Sequence, residues 1–177
     1  MSSEQKKTYH ILFVCTGNSC RSPMAEGLLK HKLPEKFDGK VVVRSAGTLG
    51  LEGNSATPFA ITAAKERGVD ISHHRSQGVE ERLVKEADII FAMAEDHKEY
   101  LERQFPRVRE NVFQLKKCGR DSKKLKSVSI KDPMGGSMAV YRRCCREIDK
   151  ELDRILPLLI RLIEDKLDDD ERQGDSS

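Results

Sequence analysis

Apolar residues follow two rhythms along this chain. Short unbroken runs occur at 10–15 (HILFVC), 40–47 (KVVVRSAG), 88–94 (DIIFAMA) and 111–115 (NVFQL). Runs this brief, rich in branched residues and bounded by polar or glycine-containing turns, predict strands covered on both faces. Between them the spacing changes to three and four. Met24, Leu28, Leu29 and Leu33 form one helical stripe, with Ser22 as its expected cap and Pro23 at the first turn. Residues 57–68 predict a second helix, capped by Thr57, with Pro58 at its start and Gly68 at its end; 79–87 and 97–105 predict two more. A last helix, from Ser137 to Leu167, places Val140, Cys144, Ile148, Leu152, Ile155, Leu159, Ile163 and Leu167 on one face. Pro157 should kink or split it.

Strands alternating with helices imply parallel βαβ units and an α/β fold. No repeat or long linker divides the chain, so one domain over 10–167 is expected. A flexible tail (1–9) precedes it, and an acidic disordered tail (168–177) follows.

Charge alters this picture little. The 177 residues carry 32 Lys and Arg against 29 Asp and Glu, a net charge of only +3. Net charge alone therefore does not mark a polyanion binder. The basic stretch 116–131 holds seven Lys or Arg but no aromatic residue to stack on bases. No nucleic-acid partner is expected. The polar N-terminus and short first apolar run predict neither a signal peptide nor a membrane span. A cytoplasmic protein follows, in which an odd set of five cysteines stays reduced.

Those cysteines direct attention to CTGNSCRS, residues 15–22, between the first strand and the first helix. Ligands of open parallel sheets sit at the carboxyl ends of the strands. A turn there can aim successive backbone N–H groups inward, and the helix start adds positive potential. Thr16, Gly17, Asn18, Ser19, Cys20 and Ser22 line this cradle. Gly17 and Asn18 tolerate the left-handed backbone it requires. Arg21 supplies a bidentate fork for phosphate oxygens. Cys15, at the base, is surrounded by groups that favour the thiolate, including the nearby Ser22 hydroxyl. C-x5-R is the spacing a thiolate needs beneath a cradled phosphoryl group, which it attacks in line to form a phosphocysteine. No Walker lysine is present, so this is not a nucleotide loop. The leaving group needs a proton, and Asp132 of KDPMGGS is the candidate acid. Arg21 and the amides provide the positive potential that a metal would. Zinc binding by Cys15, Cys20, His73 and His74 lacks a usual ligand spacing, and neither metal nor cofactor is expected.

VCTGNSCRSP with the later DP resembles the low-molecular-weight protein tyrosine phosphatases, over residues 10 to about 165. The resemblance implies a three-layer sandwich: a central four-stranded parallel sheet flanked by helices, with the phosphate loop at the carboxyl end of the first strand. It implies Cys15 as nucleophile, Arg21 as clamp and Asp132 as general acid, with Asn18, Ser22, Ser45 and His74 bracing the loop. Cys20 resembles the second loop cysteine, which traps an oxidised nucleophile as a disulfide. Phosphorylated proteins are the implied substrates of a monomer or weak dimer.

Phosphotyrosine is the substrate that the family resemblance implies, with phosphoarginine as the alternative. Leu51 and Met134-Gly135 stand where tyrosine-directed members carry aromatic walls, and Ser19 is small and polar. Ser19, SATP and DPMGGS resemble the bacterial protein arginine phosphatases of the same superfamily. Thioredoxin-coupled arsenate reductases share the fold and a nearly identical loop. They use two further cysteines after the third strand, where FAMAEDHKEYLER has none; the other thiols here are Cys118, Cys144 and Cys145.

Overall fold

A computed structural model describes residues 8–174 of the chain. The elements run β1 (Tyr9–Cys15), α1 (Arg21–Lys32), β2 (Val41–Gly47), α2 (Pro58–Lys65), α3 (Glu81–Glu86), β3 (Ile89–Ala92), α4 (Glu95–Gln104), β4 (Val112–Gln114) and α5 (Met138–Gly174). The four strands form one sheet in the order β2-β1-β3-β4, with every neighbouring pair parallel.

Strand alternation builds the two outer layers. Ile11, Phe13 and Cys15 of β1 join a core with Met24, Leu28 and Leu29 of α1, Ala60 and Ala64 of α2, and Ile148, Leu152, Ile155, Leu159 and Ile163 of α5. The intervening Leu12 and Val14 point the other way, into a smaller core with Leu83 and Val84 of α3 and Leu101 of α4. Burial on both faces explains the unbroken apolar runs. The register pairs Cys15 with Gly47, so β1 and β2 end side by side at the edge where the chain turns into α1.

Three local expectations change. Helix α1 begins at Arg21, so Ser22 lies inside it and caps nothing; its hydroxyl is held by Cys15 and Asn18 instead. Thr57, by contrast, caps α2 by accepting from Ala60 N at 3.4 Å. Pro157 does not split α5. Leu152 and Ile155 before it and Leu159 and Ile163 after it are buried in the same core, and this shared packing holds both halves on one surface. The helix also continues to Gly174, into the stretch expected as an acidic disordered tail. The last residues of that tail, and nearly all of the expected N-terminal one, lie outside the described residues.

Cys144 and Cys145 are adjacent on α5 and so point in different directions. Both are buried, because α5 is covered on two flanks. Cys144 Sγ points at the Lys131 carbonyl, 3.7 Å away, while Cys145 joins the core beneath α1 and α2.

Candidate active site

The turn after β1 is organised by one asparagine. Asn18 is fully buried, and at φ 51° it is the only non-glycine residue with positive φ among the described residues. Its Nδ2 donates to Ser22 Oγ and Ser45 Oγ, both at 2.9 Å. Its Oδ1 accepts from Gln77 N at 2.9 Å. Its carbonyl faces His74 Nε2 at 2.8 Å, and since a carbonyl only accepts, that nitrogen carries the proton. Ser45 Oγ in turn donates to Glu26 Oε2 at 2.5 Å. Asn18, Ser22, Ser45 and His74 thus meet in one hydrogen-bond network. Glu26 and Gln77 extend the set.

The polarity of this network reaches Cys15. Ser22 Oγ already accepts from Asn18, so its own proton is free to donate to Cys15 Sγ, 2.8 Å away. Cys15 ends β1 and is almost wholly buried. Gly47 permits this packing: a Cβ there would lie 2.7 Å from Thr16 O and 2.9 Å from Asn18 N. Gly17 is not in the left-handed region expected for it; Asn18 alone makes that turn in the loop. A Cβ on Gly17 would crowd Ser19 Oγ at 3.3 Å.

Arg21, in the first turn of α1, reaches back across the mouth of the loop. Its Nη1 donates to Ile130 O at 3.1 Å, and its Nη2 to Thr16 Oγ1 at 3.2 Å and Asp132 Oδ2 at 3.0 Å. The guanidinium is buried, whereas the Asp132 side chain is half exposed. Asp132 Oδ1 accepts from Met134 N at 3.0 Å, which fixes the carboxylate within its own turn. Residues remote in sequence, Arg21 and Asp132, thereby meet beside Thr16 of the loop.

His97 was not singled out from the sequence. It lies on α4, is 1% exposed, and its Nε2 sits 2.8 Å from Thr16 Oγ1. Nδ1 is buried without a hydrogen-bond partner among the described residues. Burial first, then the neighbouring Arg21 guanidinium, lowers its pKa to about 4, against the weaker pull of Asp96 and Asp132. The ring is therefore neutral at physiological pH, and it terminates a chain from Arg21 through Thr16. Its only sequence signal is a histidine three residues beyond Ala94 at the end of the third apolar run, which resembles many surface histidines.

The chain from residue 10 to 170 matches the family model described as low molecular weight phosphotyrosine protein phosphatase. It belongs to that family. A protein-arginine-phosphatase of Bacillus subtilis is 39% identical over 145 residues, spanning 82% of this chain and 93% of the relative. The solved arginine phosphatase YwlE from Geobacillus stearothermophilus superposes with a TM-score of 0.76 at 38% identity, covering 86% of this chain and 94% of its own. An arsenate reductase of Staphylococcus epidermidis is 46% identical over 92 residues, which is 52% of this chain and 63% of that protein. Membership makes the chain a cysteine-dependent phosphatase, a hydrolase of phosphorylated proteins.

Beside the family loop, Cys20 Sγ lies 3.4 Å from Thr57 Oγ1 and 3.5 Å from Tyr141 OH. Three further thiols lie outside the loop. Burial raises the pKa of Cys118, raises Cys145 to about 11, and raises Cys144 further still. All five cysteines are free. Of the residues named for zinc, Cys15 and His74 are bound into the loop network, and no group of His, Cys, Asp or Glu suited to a metal occurs among the described residues. No described helix is long and apolar enough to cross a membrane.

Proposed function

We propose that Cys15 is the nucleophile of a protein phosphatase directed at phosphoarginine. The supporting observation is the buried 2.8 Å contact of Cys15 Sγ with the Ser22 hydroxyl, which accepts from Asn18 Nδ2 and keeps its own proton to donate. A hydroxyl proton turned toward the sulfur would hydrogen-bond the attacking and later the departing sulfur atom. Arg21 releases Asp132 and takes two phosphoryl oxygens, while the loop amides take the rest. Cys15 Sγ attacks phosphorus, the P–N bond breaks, and Asp132 delivers its proton to the departing guanidine nitrogen. Water then attacks the phosphocysteine, its proton returns to Asp132, and the S–P bond opens to free thiolate and phosphate.

Phosphoarginine is favoured over phosphotyrosine by the names of the relatives at 39% identity and of the solved structure at 38%. Ser19, half-buried at the loop mouth, adds a small hydroxyl suited to a planar guanidine. Leu51 and Met134, both exposed, leave the entrance without the aromatic walls of tyrosine-directed members. The phosphotyrosine reading keeps the family description on its side, and the same steps apply with P–O cleavage. Arsenate reduction is disfavoured because Cys118, Cys144 and Cys145 are buried thiols, none of them on the segment after β3. In the phosphatase, peroxide converts the Cys15 thiolate to a sulfenic acid, which Cys20 condenses to a disulfide with loss of water.

Turnover of matched phosphoarginine and phosphotyrosine peptides by the wild type, Cys15→Ser and Ser19→Ile tests this reading. Cys15→Ser should abolish both activities, and wild type should prefer phosphoarginine. Ser19→Ile should shift the ratio toward phosphotyrosine. An active Cys15→Ser enzyme overturns the mechanism; a wild-type preference for phosphotyrosine overturns the substrate.

A further inference from the structure

The aromatic surface missing from the usual wall positions lies elsewhere on the site. Phe59, at the start of α2, is 44% exposed, and its ring stands edge-on against Tyr141 of α5, with centroids 5.5 Å apart and planes 75° apart. Tyr141 is buried, so its ring forms a fixed floor and Phe59 a wall. With Thr57, Pro58, Gly135 and Gly136 they enclose a cleft of about 300 Å³ that no charged side chain lines.

This cleft is continuous with the phosphate loop. Thr57 N donates to Ser19 O at 2.9 Å. Cys20 Sγ touches both Thr57 Oγ1 and Tyr141 OH. The opposite side is the segment following Asp132, closed by the bond from Gly136 N to Pro133 O at 2.9 Å. The space over that side is open, since a Cβ on Gly135 would meet nothing within 4 Å. A peptide whose phosphorylated side chain enters the loop has this recess beside it, between Thr57 and the backbone of 135–136. An exposed phenylalanine beside a buried aromatic, in an uncharged recess, selects an apolar group.

We infer that the Phe59–Tyr141 cleft is a specificity subsite that binds an apolar side chain next to the phosphorylated residue of a peptide substrate. The inference rests on the phosphatase reading above and adds a sequence preference to it. Tyr141 and the backbone of 135–136 shape the recess; Phe59 supplies the surface that the apolar side chain covers.

The test compares two phosphopeptides that differ only at the residue adjoining the phosphorylated one, Leu against Ser, with a small aryl phosphate as a third substrate. The Leu peptide should have a kcat/KM about tenfold higher. Phe59→Ser should remove most of that difference by raising KM for the Leu peptide while kcat stays unchanged. The aryl phosphate, which has no neighbouring residue, should be turned over alike by both proteins. Equal kcat/KM for the two peptides, or a preference that survives Phe59→Ser, overturns the subsite while leaving the phosphatase intact. So does a concentration-dependent dimer, seen by sedimentation, that Phe59→Ser dissolves without touching peptide preference, because the cleft then belongs to a second copy. Absence of turnover on all three substrates overturns the phosphatase reading itself, and the subsite with it.

Discussion

Arg21 Nη2 and Asp132 Oδ2 are 3.0 Å apart. The guanidinium that would clamp phosphate thus holds the carboxylate that would act as acid. If Arg21 clamps phosphate, the single carboxylate oxygen of Asp132 on Nη2 stands where a phosphoryl oxygen would bind. Incoming phosphate must compete for Arg21, and its success frees Asp132 to face the leaving group. Asp132→Ala should therefore have two opposite effects. Turnover of a substrate with a poor leaving group should fall about 10²-fold to 10³-fold. Inhibition by inorganic phosphate should strengthen, because Arg21 loses its internal competitor. Unchanged phosphate inhibition, measured by steady-state kinetics, would show that the pair does not gate the clamp.

Asn18 joins three loop partners and Ser45, so its loss should be felt in folding as well as in rate. Asn18→Ala removes both donors and the acceptor that satisfy Ser22, Ser45 and Gln77 N, and puts alanine at φ 51°. Buried groups left unpaired cost about 1–3 kcal/mol each. A loss of about 2–4 kcal/mol in urea unfolding is expected. Asn18→Gly, which accepts the backbone angle, should recover only a minor part of it.

His97 makes stability depend on acid. Its pKa is about 4 in the fold against 6.5 for an ordinary histidine, so between those values the unfolded chain binds more protons. Stability then rises with pH through this window and falls on acidification from about 6.5 toward 4. At about 1.4 kcal/mol per pH unit, the contribution reaches roughly 3 kcal/mol. His97→Asn should flatten this part of a stability–pH curve measured by chemical denaturation. It should also lower kcat roughly tenfold at pH 7 by loosening Thr16 and Arg21. A curve unchanged between pH 6.5 and 4 would assign the buried ring no role in acid sensitivity.

The basic segment 116–131 divides into two parts in the fold. Lys116, Lys117 and Arg120 pair with Glu147, Glu95 and Glu151. Lys123, Lys124 and Lys126 are exposed on the loop leading to Asp132. Replacing these three by Gln should raise KM for acidic phosphopeptides severalfold at low salt, with less effect at high salt. A small aryl phosphate should be unaffected. Equal KM values for the acidic peptide before and after replacement would reduce these lysines to solvated surface.

Several parts of the site were legible because they are local. C-x5-R within one strand-turn-helix junction fixes where a thiol and a guanidinium can lie relative to the loop amides, whatever the rest of the chain does. Asp132 stands out through its Asp-Pro-x-Gly-Gly turn, and the fold sets it 3.0 Å from Arg21. His97, Glu26 and Phe59 left no such mark. Each meets its partner across a gap set by packing: α4 onto β3, α1 onto β2, α2 onto α5. Ser22 shows the converse, since a residue type that favours helix caps is drawn to a different partner by the loop.

The linear order of residues determined the alternation of strands and helices, the thiol–guanidinium spacing and the balance of charge, because these depend on neighbours a few positions apart. Only the tertiary structure decided that Arg21 meets Asp132, that His97 closes the line behind Thr16, and that Phe59 stands on Tyr141. Those meetings depend on the way separate helices cross the sheet. Side-chain shape and burial select that arrangement jointly for the whole core, and no short stretch of chain encodes it alone.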